Sequence, residues 1–231
     1  MTITFITGAN KGLGRETARR LVEAGHTVIV GARNAALGQE AADAVGARFV
    51  PIDVTDDASV AAAAADVEAH EGRLDVLINN AGITGLSGRP DELTGEDALS
   101  VLNTNTASVV RVTHAFLRLL RRGSDPRVVN VTSGLGSQTL THDPERVEAQ
   151  VIAPLYTSSK AAVTMLTTQY AKGVPDVRFN AVDPGYTATD LNGHSGTQTI
   201  TEGTDAIVAL ATEAPDAGTG RVVDRHGVVP W

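Results

Sequence analysis

Ile3-Thr4-Phe5-Ile6-Thr7-Gly8-Ala9-Asn10-Lys11-Gly12-Leu13-Gly14 decides how this chain folds. The run Ile3–Ile6 reads as a strand, and Leu13, Ala18, Leu21 and Val22 recur afterwards at helical spacing. Between them the glycines let the backbone turn tightly and approach a pyrophosphate, whose charge would face the helix N-terminus. A glycine pattern alone is equally compatible with a strand-to-helix turn that holds nothing. The rest of the chain has to discriminate.

Working outward, β-rich runs alternate with Ala- and Leu-rich stretches. The spacing predicts strands at Ile3–Ile6, Thr27–Val30, Arg48–Ile52, Val76–Ile78, Arg127–Val131, Val177–Val182 and Arg221–Val223. It predicts helices near 13–24, 36–45, 57–70, 96–121, 155–171 and 202–212. Runs such as Val128-Val129-Asn130-Val131 lack polar alternation, as in a sheet covered on both faces. Such alternation implies right-handed βαβ units and a mostly parallel sheet. In the long helix, Asn105 shares an apolar face with Val109, Val112, Phe116 and Leu119 or Leu120. An amide there needs buried partners. Two segments, 133–154 and 186–201, read as loops at carboxyl ends of strands, where open α/β sheets bind ligands.

The 231 residues favour one domain spanning 1–231. With 42% hydrophobic residues, wholesale disorder is not expected. The net charge of -8 argues against nucleic-acid and anionic-membrane partners, which feed on a basic surface. The absence of cysteine excludes disulfides, thiolate metal sites and cysteine nucleophiles. The six histidines show no metal-ligand spacing, so no metal is expected; His142 and His194 lie in the two loops and are read as exposed loop residues. With no signal-like h-region and no long apolar span, a soluble cytoplasmic protein is the expectation.

The spacing Gly8, Gly12, Gly14 resembles the T-G-x-x-x-G-x-G of the short-chain dehydrogenases/reductases. Asn79-Asn80-Ala81-Gly82, Tyr156-x-x-x-Lys160 and Pro184-Gly185 follow in that family's order, so four motifs span residues 7–187. The chain is similar to the family's single-domain, carbonyl-reductase-like branch. The expected fold is therefore α/β: a three-layer, doubly wound, Rossmann-like parallel sheet of order 3-2-1-4-5-6-7. The resemblance implies dinucleotide contacts from Gly8, Asn10, Lys11, Gly12, Leu13 and Gly14, and from Arg33, Asp53 and Val54. It implies further contacts from Asn80, Ala81 and Gly82, from Tyr156 and Lys160, and from Pro184, Gly185 and Thr187. Asp53 would bond the adenine amino group, and Thr187 the nicotinamide carboxamide. Read singly, Asp53 is equally a turn or N-cap residue and Asn79–Gly82 a strand-ending turn.

The second strand ends Val30-Gly31-Ala32-Arg33, with Ala32 where an NAD-selective site carries a carboxylate for the ribose 2′-OH. Arg33 and Lys11 resemble the cations that hold a 2′-phosphate, although most Lys and Arg are simply solvated. NADP(H) is thus favoured over NAD(H).

A free phenol, with a pKa of about 10, exchanges protons poorly at neutral pH. Lys160 lies one turn from Tyr156 on the same helical face. At an effective dielectric of ~20, a cation ~4 Å away stabilises tyrosinate by roughly 4 kcal/mol, or about three pKa units. The expectation is a phenol brought near operating pH, although Tyr-x-x-x-Lys by itself also occurs as a surface pair. By resemblance, Tyr156 is the general acid/base, Lys160 lowers its pKa and binds the nicotinamide ribose, Ser133 orients the carbonyl, and Asn105 holds a proton-relay water. Alone, Ser133 reads as a turn residue and Asn105 as a packing amide.

The implied activity is NADPH-dependent interconversion of a ketone or aldehyde with an alcohol. Alternatives are NAD-dependent alcohol oxidation and a non-catalytic NADP(H) sensor. The partner is a small carbonyl or alcohol substrate, with a homodimer, a homotetramer or a monomer all open. Tyr156 follows Ser133 by 23 positions, more than is commonest in the family, so an insertion containing Thr141–Arg146 is expected over the substrate pocket.

Overall fold

The structure, a computed structural model, describes residues 1–85 and 90–230. β1 (Ile3–Thr7), β2 (Thr27–Ala32), β3 (Arg48–Pro51), β4 (Val76–Asn79), β5 (Arg127–Val131), β6 (Arg178–Val182), β7 (Val222–Asp224) and β8 (Gly227–Val228) join one sheet. Its order is β3-β2-β1-β4-β5-β6-β7-β8. The first seven strands are parallel in the expected order. The eighth is an addition: β8 pairs antiparallel with β7. Its turn is made by Asp224, whose Oδ1 accepts from the amides of His226 and Gly227. Two residues carry too little periodicity to be read as a strand.

Successive strand residues feed two different cores, which is why the strands read as unbroken apolar runs. Phe5, Ile29, Leu77, Val128 and Phe179 point to one side and meet α3 (Asp57–Glu71) and α5 (Ser108–Leu120). Ile6, Val30, Ile78, Val129 and Val182 point to the other and meet α1 (Gly12–Glu23), α2 (Ala35–Val45) and α9 (Asp205–Thr212). On the first side the rings of Phe5 and Phe116 lie 4.7 Å apart, both fully buried.

The long helix expected over 96–121 is interrupted. α4 (Gly95–Leu102) passes through a π-turn at Asn103–Ala107 before α5. The extra residue per turn shifts the register, and π-turns of this kind gather at functional sites. The segment expected as a loop at 133–154 contains 3₁₀ turns at Gly134–Gly136 and Val147–Gln150 flanking α6 (Gln138–His142). It leads into α7 (Pro154–Gly173), opened by a proline in its first turn. The segment 186–201 is pinned by a Thr187–Gln198 bridge and by a 2.6 Å contact between the Tyr186 and Ser195 hydroxyls. The helix expected at 202–212 is broken at Thr204, giving α8 (Ile200–Gly203) and α9. Among the described residues no helix is long and apolar enough to cross a membrane.

Phe116 carries much of the first core. Phe116→Ala should lower stability by about 3–5 kcal/mol in urea unfolding; a loss below about 1 kcal/mol would show that this core does not depend on the Phe5–Phe116 contact.

Candidate active site

β1 and β4 are neighbours in the sheet, yet their following helices depart to opposite faces, and a crevice opens above their carboxyl ends. Thr7 closes β1. Its hydroxyl accepts from the amides of Asn80 (3.0 Å) and Ala81 (3.1 Å) and donates to the Ile78 carbonyl (3.4 Å). Asn80 answers with its side chain, donating to the carbonyls of Thr7 (2.9 Å) and Gly8 (3.1 Å). Gly8 has φ +65°, and a Cβ there would lie 2.9 Å from the Ala81 Cα. Only glycine fits.

Beyond it the cradle is open. A side chain on Gly12 (φ +53°) would enter the space toward Thr189, with nothing closer than 3.8 Å. Lys11, the N-cap of α1, makes no side-chain cap, so the first-turn amides around Leu13 and Gly14 point at that space without a side-chain acceptor. Asn10, partly buried, lies in the turn just before. These residues fit a pyrophosphate.

Of the two cations, Arg33 lies at the rim in only a loose ion pair. It is exposed, directly after Ala32 at the end of β2, with the Asp53 carboxylate 4.0 Å away. Lys11 instead pairs with Asp190 at 2.9 Å, and the other Asp190 oxygen meets His194 Nε2 at 2.9 Å. No periodicity or motif signals this clasp between the glycine turn and the segment 186–201. Asp53 is held in a turn, its Oδ1 accepting from the amide (2.9 Å) and hydroxyl (2.6 Å) of Thr55, and these bonds keep its pKa low. The N-cap of α3 is Asp56, not Asp53. Val54, beside Asp53, is buried.

Across the crevice, Ser133 follows β5 and Tyr156 and Lys160 lie on α7. The Ser133 hydroxyl faces the Tyr156 phenol, whose pKa it lowers, and accepts from the Leu135 amide at 3.2 Å. Lys160 is buried; its ammonium donates to the Val131 carbonyl at 2.9 Å and sits 5.6 Å from the centre of the Tyr156 ring. The helix is fixed to β5 by Thr132, whose hydroxyl donates to the Lys160 carbonyl at 2.8 Å.

Asn105, in the π-turn, finds the buried partners that its position demands. Its Nδ2 donates to the Ile83 carbonyl (2.8 Å) and the Ser159 hydroxyl (2.9 Å), and its Oδ1 accepts from the Ile83 amide (2.8 Å). A Cβ on Gly82 would lie 3.4 Å from Asn105 Oδ1 and 3.6 Å from Lys160 Nζ, so Gly82 separates the two groups closely. Pro184 and Gly185 follow β6, and the Thr187 hydroxyl turns back to the Pro184 carbonyl at 3.0 Å. The structure thus gathers Asn105, Ser133, Tyr156 and Lys160 around one end of the sheet, opposite the glycine turn.

The electrostatics differ from the sequence expectation. Burial pushes the Tyr156 phenol up to about 12, the negative charge of Asp183 adds to the rise, and only the Ser133 hydrogen bond opposes it. Burial also draws Lys160 down to about 8, against the pull of Asp183. Desolvation, absent from a calculation on spacing alone, is the largest cause of both shifts, and the Lys160 ammonium is not among the causes that act on the phenol. Sequence reading also missed Asp183, which is buried at the end of β6, and the apolar side chains Val147, Val151, Ile152, Tyr186 and Leu191 exposed on the two flanking segments. Polar and apolar residues in loops have no period to betray them.

The model of the short chain dehydrogenase family matches residues 2–199. The chain belongs to the short-chain dehydrogenases/reductases. It is 36% identical to "Short-chain dehydrogenase anuI" of Penicillium roqueforti (strain FM164), over 98% of this chain and 95% of that protein. It is 31% identical to (-)-isopiperitenone reductase of Mentha piperita, over 93% of each. The NADPH-bound carbonyl reductase from chicken fatty liver superimposes with a TM-score of 0.88 at 27% identity, covering 100% of both chains. This oxidoreductase is therefore of the carbonyl-reductase type and acts on CH–OH/C=O groups, and its family binds NAD(P).

Lys160 is one of three lysines, with Lys11 and Lys172. In protein carrying ¹³Cε-lysine, one resonance should titrate with a midpoint near pH 8 and vanish in Lys160→Met. Three signals all titrating above pH 10 would show that burial does not govern this ammonium.

Proposed function

We propose that this short-chain dehydrogenase/reductase is an NADPH-dependent reductase of ketones or aldehydes. The observation carrying this reading is the Tyr156 phenol, its ring centre 5.6 Å from the ammonium of the buried Lys160, set beside Ser133 and facing the glycine cradle across the crevice. NADPH, when bound, supplies the hydride.

The chain supplies the rest. Gly8, Asn10, Gly12, Leu13 and Gly14 hold the pyrophosphate on backbone amides, with Asn80, Ala81 and Gly82 walling the adenosine side. Asp53 and Val54 border the adenine, and Pro184, Gly185 and Thr187 border the nicotinamide. Arg33 takes the 2′-phosphate: its guanidinium is exposed and forked for bidentate bonding, and no carboxylate ends β2. Lys11 can join it only by releasing Asp190.

Ser133 donates to the carbonyl oxygen and holds it against Tyr156. A phenol pushed up to about 12 keeps its proton at neutral pH, and an alkoxide developing beside it is a far stronger base. Tyr156 is thus set to act as a general acid, which favours the reductive direction. Lys160, drawn to about 8, can hold or release a proton near neutrality and so resupply the phenol while bonding the nicotinamide ribose. Asn105 spends both amide protons on Ile83 and Ser159. Its remaining Oδ1 lone pair, near Lys160, is what can hold a relay water. The apolar side chains exposed on the two flanking segments suit a hydrophobic substrate. The likeness to a carbonyl reductase with NADPH bound, and to (-)-isopiperitenone reductase, supports the same reading.

The test is NADPH consumption against a panel of hydrophobic aldehydes, ketones and quinones. Tyr156→Phe should lower kcat by about 10³-fold while leaving NADPH affinity, read by nicotinamide fluorescence, within twofold. Turnover in that variant would remove Tyr156 from its role. Arg33→Ala should weaken NADPH binding by roughly 10–100-fold and leave NADH binding unchanged; equal losses for both would assign Arg33 elsewhere. No turnover on any carbonyl, with NADPH tightly held, would favour a sensor.

A further inference from the structure

Asp183 is a buried carboxylate that the proposed chemistry does not use. It is 7% exposed and directly follows β6, just before the Pro184-Gly185 turn. One oxygen accepts from the Gly185 amide at 3.0 Å, and the other packs against Gly134, whose amide lowers the carboxyl pKa. A Cβ on Gly134 would lie 2.8 Å from Asp183 Oδ2 and 3.0 Å from Glu148 Oε1, so both carboxylates press on the turn that carries Ser133.

We propose that Asp183 is a positioning residue for the reaction, clamping the Ser133-Gly134 turn to the Pro184-Gly185 turn and setting the charge that the Tyr156 phenol feels. The proposal rests on the reductase reading for its catalytic meaning, but its electrostatic half does not. The two turns end adjacent parallel strands and, in that reading, carry the substrate-orienting serine and the nicotinamide border. The strands alone do not fix their separation, because the ladder between β5 and β6 ends at Val131 and Val182, where the Thr132 amide still reaches the Val182 carbonyl at 2.8 Å. Beyond that bond, one carboxylate, bonded to the Gly185 amide and packed against Gly134, bridges the two turns.

The charges facing Asp183 come from every neighbouring element. Tyr156 and Lys160 look at it from α7, Asp224 from β7, and Glu148 from the inserted 3₁₀ turn, with Arg146 paired to Glu148 at 3.0 Å. Burial, Asp224 and Glu148 all raise the pKa of Asp183, while the two amides lower it. When ionised, Asp183 opposes ionisation of Tyr156 and favours the charged form of Lys160. It therefore keeps the proton on the phenol, where a reductase needs it. The insertion acts on the same point, since Glu148 brings a second negative charge to the Asp183 side of the turn.

The test uses ¹³Cζ-tyrosine-labelled protein, alone and with NADP⁺. Its three tyrosine signals are assigned with Tyr156→Phe. Asp183→Asn keeps one acceptor for the turns and removes the charge; Asp183→Ala removes both. In each variant the Tyr156 midpoint should fall by about one pH unit relative to wild type. The fall should accompany a matching shift in the pH profile of kcat. Asp183→Ala should in addition lose kcat/KM by about tenfold or more through the loosened turns. An unshifted Tyr156 midpoint in a folded variant would overturn the proposal, and so would failure of both variants to fold, which would leave Asp183 a purely structural residue. A shifted midpoint without turnover on any carbonyl would uphold the electrostatic role and count against the reductase reading instead.

Discussion

Thr7 and Asn80 hold the ends of β1 and β4 together at the place where the sheet changes direction. The Thr7 hydroxyl accepts two amides from the end of β4, and the Asn80 carboxamide returns two bonds to the end of β1. This reciprocal clamp satisfies backbone groups that leave the sheet just as its ladder stops. It also brings Gly8 so near Ala81 that no side chain is tolerated. The open cradle, the uncapped start of α1 and the wall at Ala81–Gly82 all take their places from it.

The opposite half of the crevice is organised by burial rather than by close backbone approach. Lys160 is sunk against β5 with one carbonyl partner, and Thr132 ties its backbone to the strand. Asn105, Ile83 and Ser159 lock α7 to the π-turn and to the chain following β4. Desolvation here is costly to charge, so both titrating groups move toward neutrality: the phenol upward and the ammonium downward. A helix that carried the same i, i+4 pair on an exposed face would have neither shift.

Much was legible in the sequence. Alternating strand and helix signals predicted a mostly parallel sheet, and the family resemblance implied the order that its first seven strands adopt. Gly8 and Gly12 were readable because positive φ leaves few other choices, and both adopt it. Asn105 was readable as a buried amide because it broke an apolar face. What stayed hidden had no period or composition to reveal it: the two-residue β8, the π-turn, and the turns inside 133–154.

The sequence by itself determined the parallel sheet and the glycine cradle, because local periodicity and steric exclusion act on neighbours along the chain; the residues facing one another across the crevice were named by family resemblance. Only the tertiary structure decided the charge states of Tyr156 and Lys160, the pairing of Lys11 with Asp190, and the presence of Asp183 between two turns. Those depend on how much water is removed and on which distant side chains arrive. Desolvation and long-range contact are properties of the packed molecule, and spacing along a chain does not encode them.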